Sequence, residues 1–138
     1  MESYHAWARI FELHRDYYWI VDRFHISARS YQLHHSKRDF QFEWLEERLV
    51  ALNFHLVHCV RRPESFEDAR AERLTFSENP TRYDNLQKFV EEQELMRRLV
   101  KESRLPSLEI DISDNDVEGA AHTILNWVES TGGFWRVS

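Results

Sequence analysis

The chain has 138 residues, 42% hydrophobic, 14% aromatic and 30% charged, with a formal net charge of −6 and a single cysteine. That length and apolar content suit one domain with a real core, and the aromatic load argues against disorder. The negative charge disfavours non-specific nucleic-acid binding, which needs a basic face; no apolar run approaches a membrane span, the N-terminus lacks a signal-peptide shape, and a lone Cys59 forms no intrachain disulfide, which points to a reducing cytoplasm.

Residues 2–14 place Tyr4, Trp7, Ala8, Ile10 and Phe11 at helical spacing. Residues 17–21 (YYWIV) are continuously apolar and read as a strand buried on both faces. A helix is expected from about His25 to His35, and 36–39 is a polar break in which Asp39 is placed to cap the next helix. The core face of that helix is Phe42, Leu45, Leu49 and Leu52, and 54–60 (FHLVHCV) is the second strand. Pro63 fits the first turn of a helix that runs to about Leu74. Residues 75–84 are a loop containing Pro80. From Asn85 to Ser103 the apolar residues Leu86, Phe89, Val90, Met96, Leu99 and Val100 recur at helical intervals. Pro106 precedes a third strand with Leu108, Ile110 and Ile112 on one face. Ser113 or Asp114 starts the final helix, whose stripe is Val117, Ala120, Ala121, Ile124, Leu125 and Val128, and Gly132 and Gly133 end it. Strands alternating with helices predict an α/β fold: three layers, α/β/α, around a small parallel sheet of about three strands. There is no internal repeat and no linker that divides two domains.

Two features carry chemistry. No glycine precedes Gly119, so no phosphate loop of the G-x-x-x-x-G-K-[ST] type exists upstream of it. Asp22-Arg23 at a strand's carboxyl end sits where open α/β sheets bind ligands. Arg23 offers a planar fork of donors suited to phosphate. Asp22 would orient that guanidinium, or hold a sugar hydroxyl or a metal-bound water. On the next helix Ser27 and Tyr31 are four apart and share a face; Tyr31 and Gln32 bring an aromatic surface and an amide to a sugar and base. The plainer reading of Asp22-Arg23 is a salt bridge at a sheet rim. Among the eight histidines, His34 and His35 are adjacent on a helix and His55 and His58 are three apart in a strand, so neither pair converges, and no metal site is expected. Cys59, inside an apolar strand, reads as a small core residue. Trp7, Phe11 and Trp44 read as core, and Phe134 and Trp135 as a packed tail or an exposed contact.

The segment DRFHISARSYQ, residues 22–32, resembles the thymidylate kinase family, whose pattern D-R-[YF]-x-x-S-x-x-[AS]-Y-Q it meets at every fixed position. Residues 44–74 are similar to that family's helix, next strand and lid-region helix, with Arg70 and Arg73 as lid arginines. Arg82 to Asp84 (RYD) and 108–113 (LEIDIS) resemble its later segments. The deoxynucleoside kinases are a second match. The resemblance implies the C-terminal part of a P-loop kinase and phosphoryl transfer from ATP, with magnesium, to a deoxynucleoside monophosphate such as dTMP. Asp22, Arg23, Arg70 and Arg73 would form the catalytic set, Arg23 clamping the acceptor phosphate and the lid arginines neutralising charge. Tyr31 would pack on the sugar, and Ser27 and Gln32 would line the base pocket. Arg70 and Arg73 also interleave with Glu67, Asp68 and Glu72, the pattern of a solvated helix face. The family's first strand, its phosphate loop with the lysine, and its second strand have no counterpart here. The resemblance therefore implies a partial, truncated domain over 1–138 that is inactive alone, with Mg and ATP binding weakened. The family sheet places its first strand between those corresponding to 17–21 and 54–60, which leaves two edges open or forces them to pair. The expected partners are a deoxynucleoside monophosphate and, through those edges, a homodimer; nucleic acid and membrane are not expected. The alternative is a non-catalytic module that binds a nucleotide or a protein.

Overall fold

A computed structural model of the chain describes residues 1–132. It is mixed α/β and mostly helical: α1 (Glu2–Leu13), α2 (His25–Ser36), α3 (Glu43–Ala51), β1 (Leu56–Val60), α4 (Ser65–Leu74), a 3₁₀ turn at Pro80–Tyr83, α5 (Leu86–Glu102), β2 (Ser107–Asp111) and α6 (Val117–Ser130). Gly133, Phe134 and Trp135 lie outside the described residues. Among the described residues no helix is long and apolar enough to cross a membrane.

The helical periodicities become two packed clusters. Ala8 and Phe11 of α1 meet Phe42, Leu45 and Leu49 of the α3 segment, with Leu105 completing the cluster. Aromatic edges tie it together: Tyr4 to Phe24 and Phe42 at 5.0 Å each, and Phe11 to Phe54 at 5.0 Å. Burying a side chain such as Phe11 stabilises the fold by about 1.5–3 kcal/mol. The second cluster joins α2 to α5 through Ile26, Leu99 and Val100, flanked by Leu33, Leu95 and Met96. These helices run antiparallel, since Arg29 reaches Glu102 while His34 and His35, further along α2, lie beside Glu92, earlier in α5.

β1 and β2 pair in parallel, in register from Leu56 opposite Ser107 to Val60 opposite Asp111. A parallel pair needs a long crossover, which α4, the 3₁₀ turn and α5 supply. Register partners share a face, so Val57 and Cys59 lie beside Leu108 and Ile110. Ile110 is buried, but Val57 and Cys59 are exposed. Cys59 is therefore not a core residue, because that side of β1 is only partly covered among the described residues.

The sheet has two strands among the described residues, not three. Residues 17–21 form no strand. Tyr17 is 68% exposed and Ile20 94%. An apolar run becomes a strand only when a neighbour takes up its backbone N–H and C=O groups, and neither β1 nor β2 pairs with this one. Trp19 instead docks on α1, its ring centroid 5.1 Å from that of Phe11 in an edge-on arrangement and its indole N–H donating to the His14 carbonyl at 3.3 Å. Asp39 does not cap α3. Its carboxylate accepts from Arg29 at 2.6 and 2.9 Å, and Phe42 holds the N-cap position. Trp7 is half exposed, while Trp44 is half-buried, packed against the edge of the first cluster and stacked on His5. The last helix starts at Val117, after Asn115 takes a left-handed φ of 56° and Asp116 caps it by accepting from the Gly119 N–H at 2.9 Å. No residue of α6 is buried, so its apolar stripe only skirts the sheet.

Candidate functional site

Asp22 and Arg23 sit in a bend, not at the end of a strand. Arg23 adopts a left-handed φ of 62°, a conformation that costs a residue with a β-carbon about 1–2 kcal/mol. The next two residues hold it there. Phe24 packs on Tyr4 and Phe11, and His25 is buried directly behind it. With those two side chains turned inward, Arg23 faces solvent, and no described residue pairs with its guanidinium. α2 then begins without a side-chain cap and without an acid in its first turn.

Along α2 the buried positions are His25, Ile26 and Ser30. Ser27 and Gln32 are half-buried and Tyr31 is exposed. The Tyr31 ring lies 4.2 Å from that of His35, one turn on. Arg29 fastens the helix from the side to Asp39 and Glu102.

The electrostatic anchor of this region is Glu46. It accepts from His25 Nε2 at 3.0 Å, from the Ser103 hydroxyl at 2.6 Å and from the Arg104 backbone N–H at 3.0 Å. Burial pushes its carboxyl up, but these three donors outweigh burial and hold it down at about 2. One carboxylate thus ties the start of α2 to α3 and to the turn after α5. The Nδ1 of His25 is buried without a partner. Beside this network is a cleft of about 190 Å³ lined by His25, Arg29, Phe42, Glu46, Glu102 and Arg104. Its two arginines are already paired, Arg29 as above and Arg104 with Glu47 at 3.0 Å. None of Asp22, Arg23, Ser27, Tyr31 or Gln32 lines it.

The carboxyl ends of β1 and β2 form a second polar assembly. Arg62 reaches Asp114 at 3.1 Å, Glu64 at 3.3 Å and Asp111 at 3.4 Å, while its N–H donates to the Ser113 hydroxyl at 2.8 Å. Arg61 donates to Asn115 at 2.7 Å, and the Gln93 amide brackets its backbone with two bonds of 2.8 Å. Hydrogen bonds from the Ser113 hydroxyl and N–H hold the Asp111 carboxyl below the usual carboxylate range. A cleft of about 260 Å³ opens here between Asp111, Asp114, Asp116 and Thr123. Because Arg61 and Arg62 are engaged in fastening the two strand exits together, this rim has little positive charge left for an anion.

Arg70 pairs with Glu67 at 3.7 Å, and Arg73 lies over the Phe76 ring at 5.7 Å. Both belong to α4's own surface, and no hydrogen bond or ion pair joins either to residues 22–32. Of the candidate residues, α2 collects Ser27, Tyr31 and Gln32 just after Arg23. Arg70 and Arg73 stand apart. Sequence reasoning missed His25 and Glu46. Phe42, Leu45, Glu46 and Leu49 make an i, i+3, i+4, i+7 stripe, so an acid at a core position was the available signal. The partner His25, 21 positions away, had none. No protein-family model, curated protein or solved structure matches the chain.

Proposed function

We propose that this chain is a thymidylate kinase-like nucleotide-binding domain in which residues 22–32 hold a deoxynucleoside monophosphate such as dTMP. The observation that carries the reading is the complete D-R-[YF]-x-x-S-x-x-[AS]-Y-Q pattern at 22–32. Its surroundings support it. The unpaired, exposed Arg23 lies next to the uncapped start of α2, where free backbone N–H groups and the helix dipole favour an anion. Tyr31 presents an exposed ring to the sugar, with Ser27 and Gln32 half-buried on either flank for the base. Asp22, also exposed, orients the guanidinium once phosphate is bound.

Phosphoryl transfer in this family needs ATP and magnesium. These residues contain no loop that would cradle the triphosphate, and that chemistry is mostly positioning and charge neutralisation, so transfer by this chain alone is negligible. Arg70 and Arg73 would serve as lid arginines only if α4 swings from its present contacts toward Arg23. An added strand between 17–21 and β1 would complete a three-layer α/β/α kinase sheet, which accounts for the apolar character of both segments.

Thermal unfolding with dTMP, the other deoxynucleoside monophosphates and ATP tests the reading. At ligand one hundred times Kd the stabilisation is about 2.7 kcal/mol, several degrees for a chain of this size. A monophosphate is expected to raise the midpoint, Arg23→Ala to remove the rise, and ATP to do little; an equal or larger rise with ATP overturns it. A second reading, a non-catalytic module that binds a protein along its open edge, is favoured by the exposure of Tyr17, Ile20 and Val57. Light scattering separates the two: a monomer that responds to dTMP supports the first, and self-association without a nucleotide response supports the second.

A further inference from the structure

We infer that His34, His35 and Glu92 form a zinc-binding site that exists only because α2 packs on α5. Each offers one ligand atom, and the three atoms lie within 4.8 Å of one another. His34 and Glu92 are half-buried and His35 is exposed. Adjacent helical residues diverge by about 100°, yet these two rings meet at 5.0 Å between centroids and 81° between planes. The antiparallel packing of α2 on α5 around Ile26, Leu99 and Val100 sets the spacing of the two backbones and brings the Glu92 carboxylate beside the two rings.

Two imidazoles and one carboxylate are a donor set that suits Zn²⁺, with a fourth position left to water. Metal arms of about 2.0–2.2 Å put tetrahedral ligands about 3.4 Å apart. The present spread closes to that by side-chain rotation at the surface, without moving either helix. All three donors are available. No described residue hydrogen-bonds to either ring. Among the described residues Glu92 is engaged only by Lys88, one turn away at 3.8 Å, a pair that a dication displaces readily. The Tyr31 ring against His35 restricts that imidazole's rotation and so lowers the cost of orienting it. Zinc held here clamps the end of α2 to the middle of α5.

The test is isothermal titration of EDTA-stripped full-length protein with ZnCl₂, together with the visible absorption of the Co²⁺ form; neither needs a nucleotide. One equivalent of Zn²⁺ is expected to bind, and Co²⁺ to give the intense bands of a low-coordinate site. Loss of a hydrogen-bonding neighbour of a ligand typically weakens metal binding about 10–100-fold, and loss of the ligand itself should weaken it at least as much. Glu92→Gln and His35→Ala are each expected to lower affinity tenfold or more and to bleach the cobalt bands. His122→Ala, which removes the histidine paired only with Glu118 at 3.9 Å, is expected to change nothing. Affinity unaltered by Glu92→Gln overturns the site, as does a loss equally large in His122→Ala. Glu92→Gln keeps the shape and volume of the half-buried side chain, so it decides the matter even if His35→Ala fails to fold.

Discussion

Replacing Glu46 by Gln removes the charge that joins α2, α3 and the turn after α5 while keeping nearly the same volume. The native carboxyl is held at about 2 against an ordinary 4.5, a difference that corresponds to about 3 kcal/mol of stability. The substituted amide cannot replace it. Its oxygen, placed at Oε1, still accepts from His25 and the Ser103 hydroxyl, but its NH₂ then faces the Arg104 N–H, which donates to Oε2 of the carboxylate now. Because folding depresses this pKa, the contribution is complete above about pH 4.5 and is lost as the pH falls toward 2. Glu46→Gln should therefore cost about 3 kcal/mol at pH 7, which lowers the midpoint by about 10 °C for a chain of this length. The gap between the two proteins should narrow steadily from pH 4.5 downward and close near pH 2. Urea unfolding monitored by tryptophan fluorescence at pH 7, 4 and 2.5 measures this directly. A loss under about 1 kcal/mol at neutral pH, or a gap that does not shrink on acidification, would refute the assignment of Glu46 as the charged hub.

Two further perturbations probe the surface around this frame. Arg23→Gly relieves the left-handed backbone at φ 62°, so stability should hold or rise by up to about 1 kcal/mol in urea unfolding, while the dTMP-induced thermal shift disappears; a clear loss of stability would mean that Arg23 has a structural partner. Cys59 is exposed on β1, yet partial burial pushes its thiol up. It should react stoichiometrically with a disulfide reagent but, at pH 7, more slowly than a free thiol, with the rate rising as the pH approaches 9. A rate equal to that of free cysteine at pH 7 would contradict that environment.

The helices were readable because a helix is a local object. Leu86 to Val100 recur at helical spacing in the sequence, and Leu99 and Val100 are the residues that α5 buries. Phe11, Leu45 and Leu49 were legible for the same reason. The segments that became β1 and β2 were also recognisable, bounded by Pro63 and Pro106. YYWIV looked as strong a strand as either and is none, since its apolar character says nothing about which backbone will pair with it. Trp7 and Cys59 carried core-like signals but stay exposed, because each faces a side that the other described residues cover only in part. Arg70 and Arg73 look interchangeable with Arg23 as phosphate ligands on paper, but they sit on α4 among its own acids and aromatics, and Arg23 is the one of the three with no partner among the described residues.

By itself the order of residues determined the helices, the two strand-forming runs and the 22–32 motif, because each depends on neighbours a few positions away. Only the tertiary structure decided which runs pair, that Glu46 captures a histidine 21 positions distant, and that Glu92 arrives beside His34 and His35. Hydrogen-bond pairing and charge pairing join groups far apart along the chain, and no local periodicity specifies a distant partner.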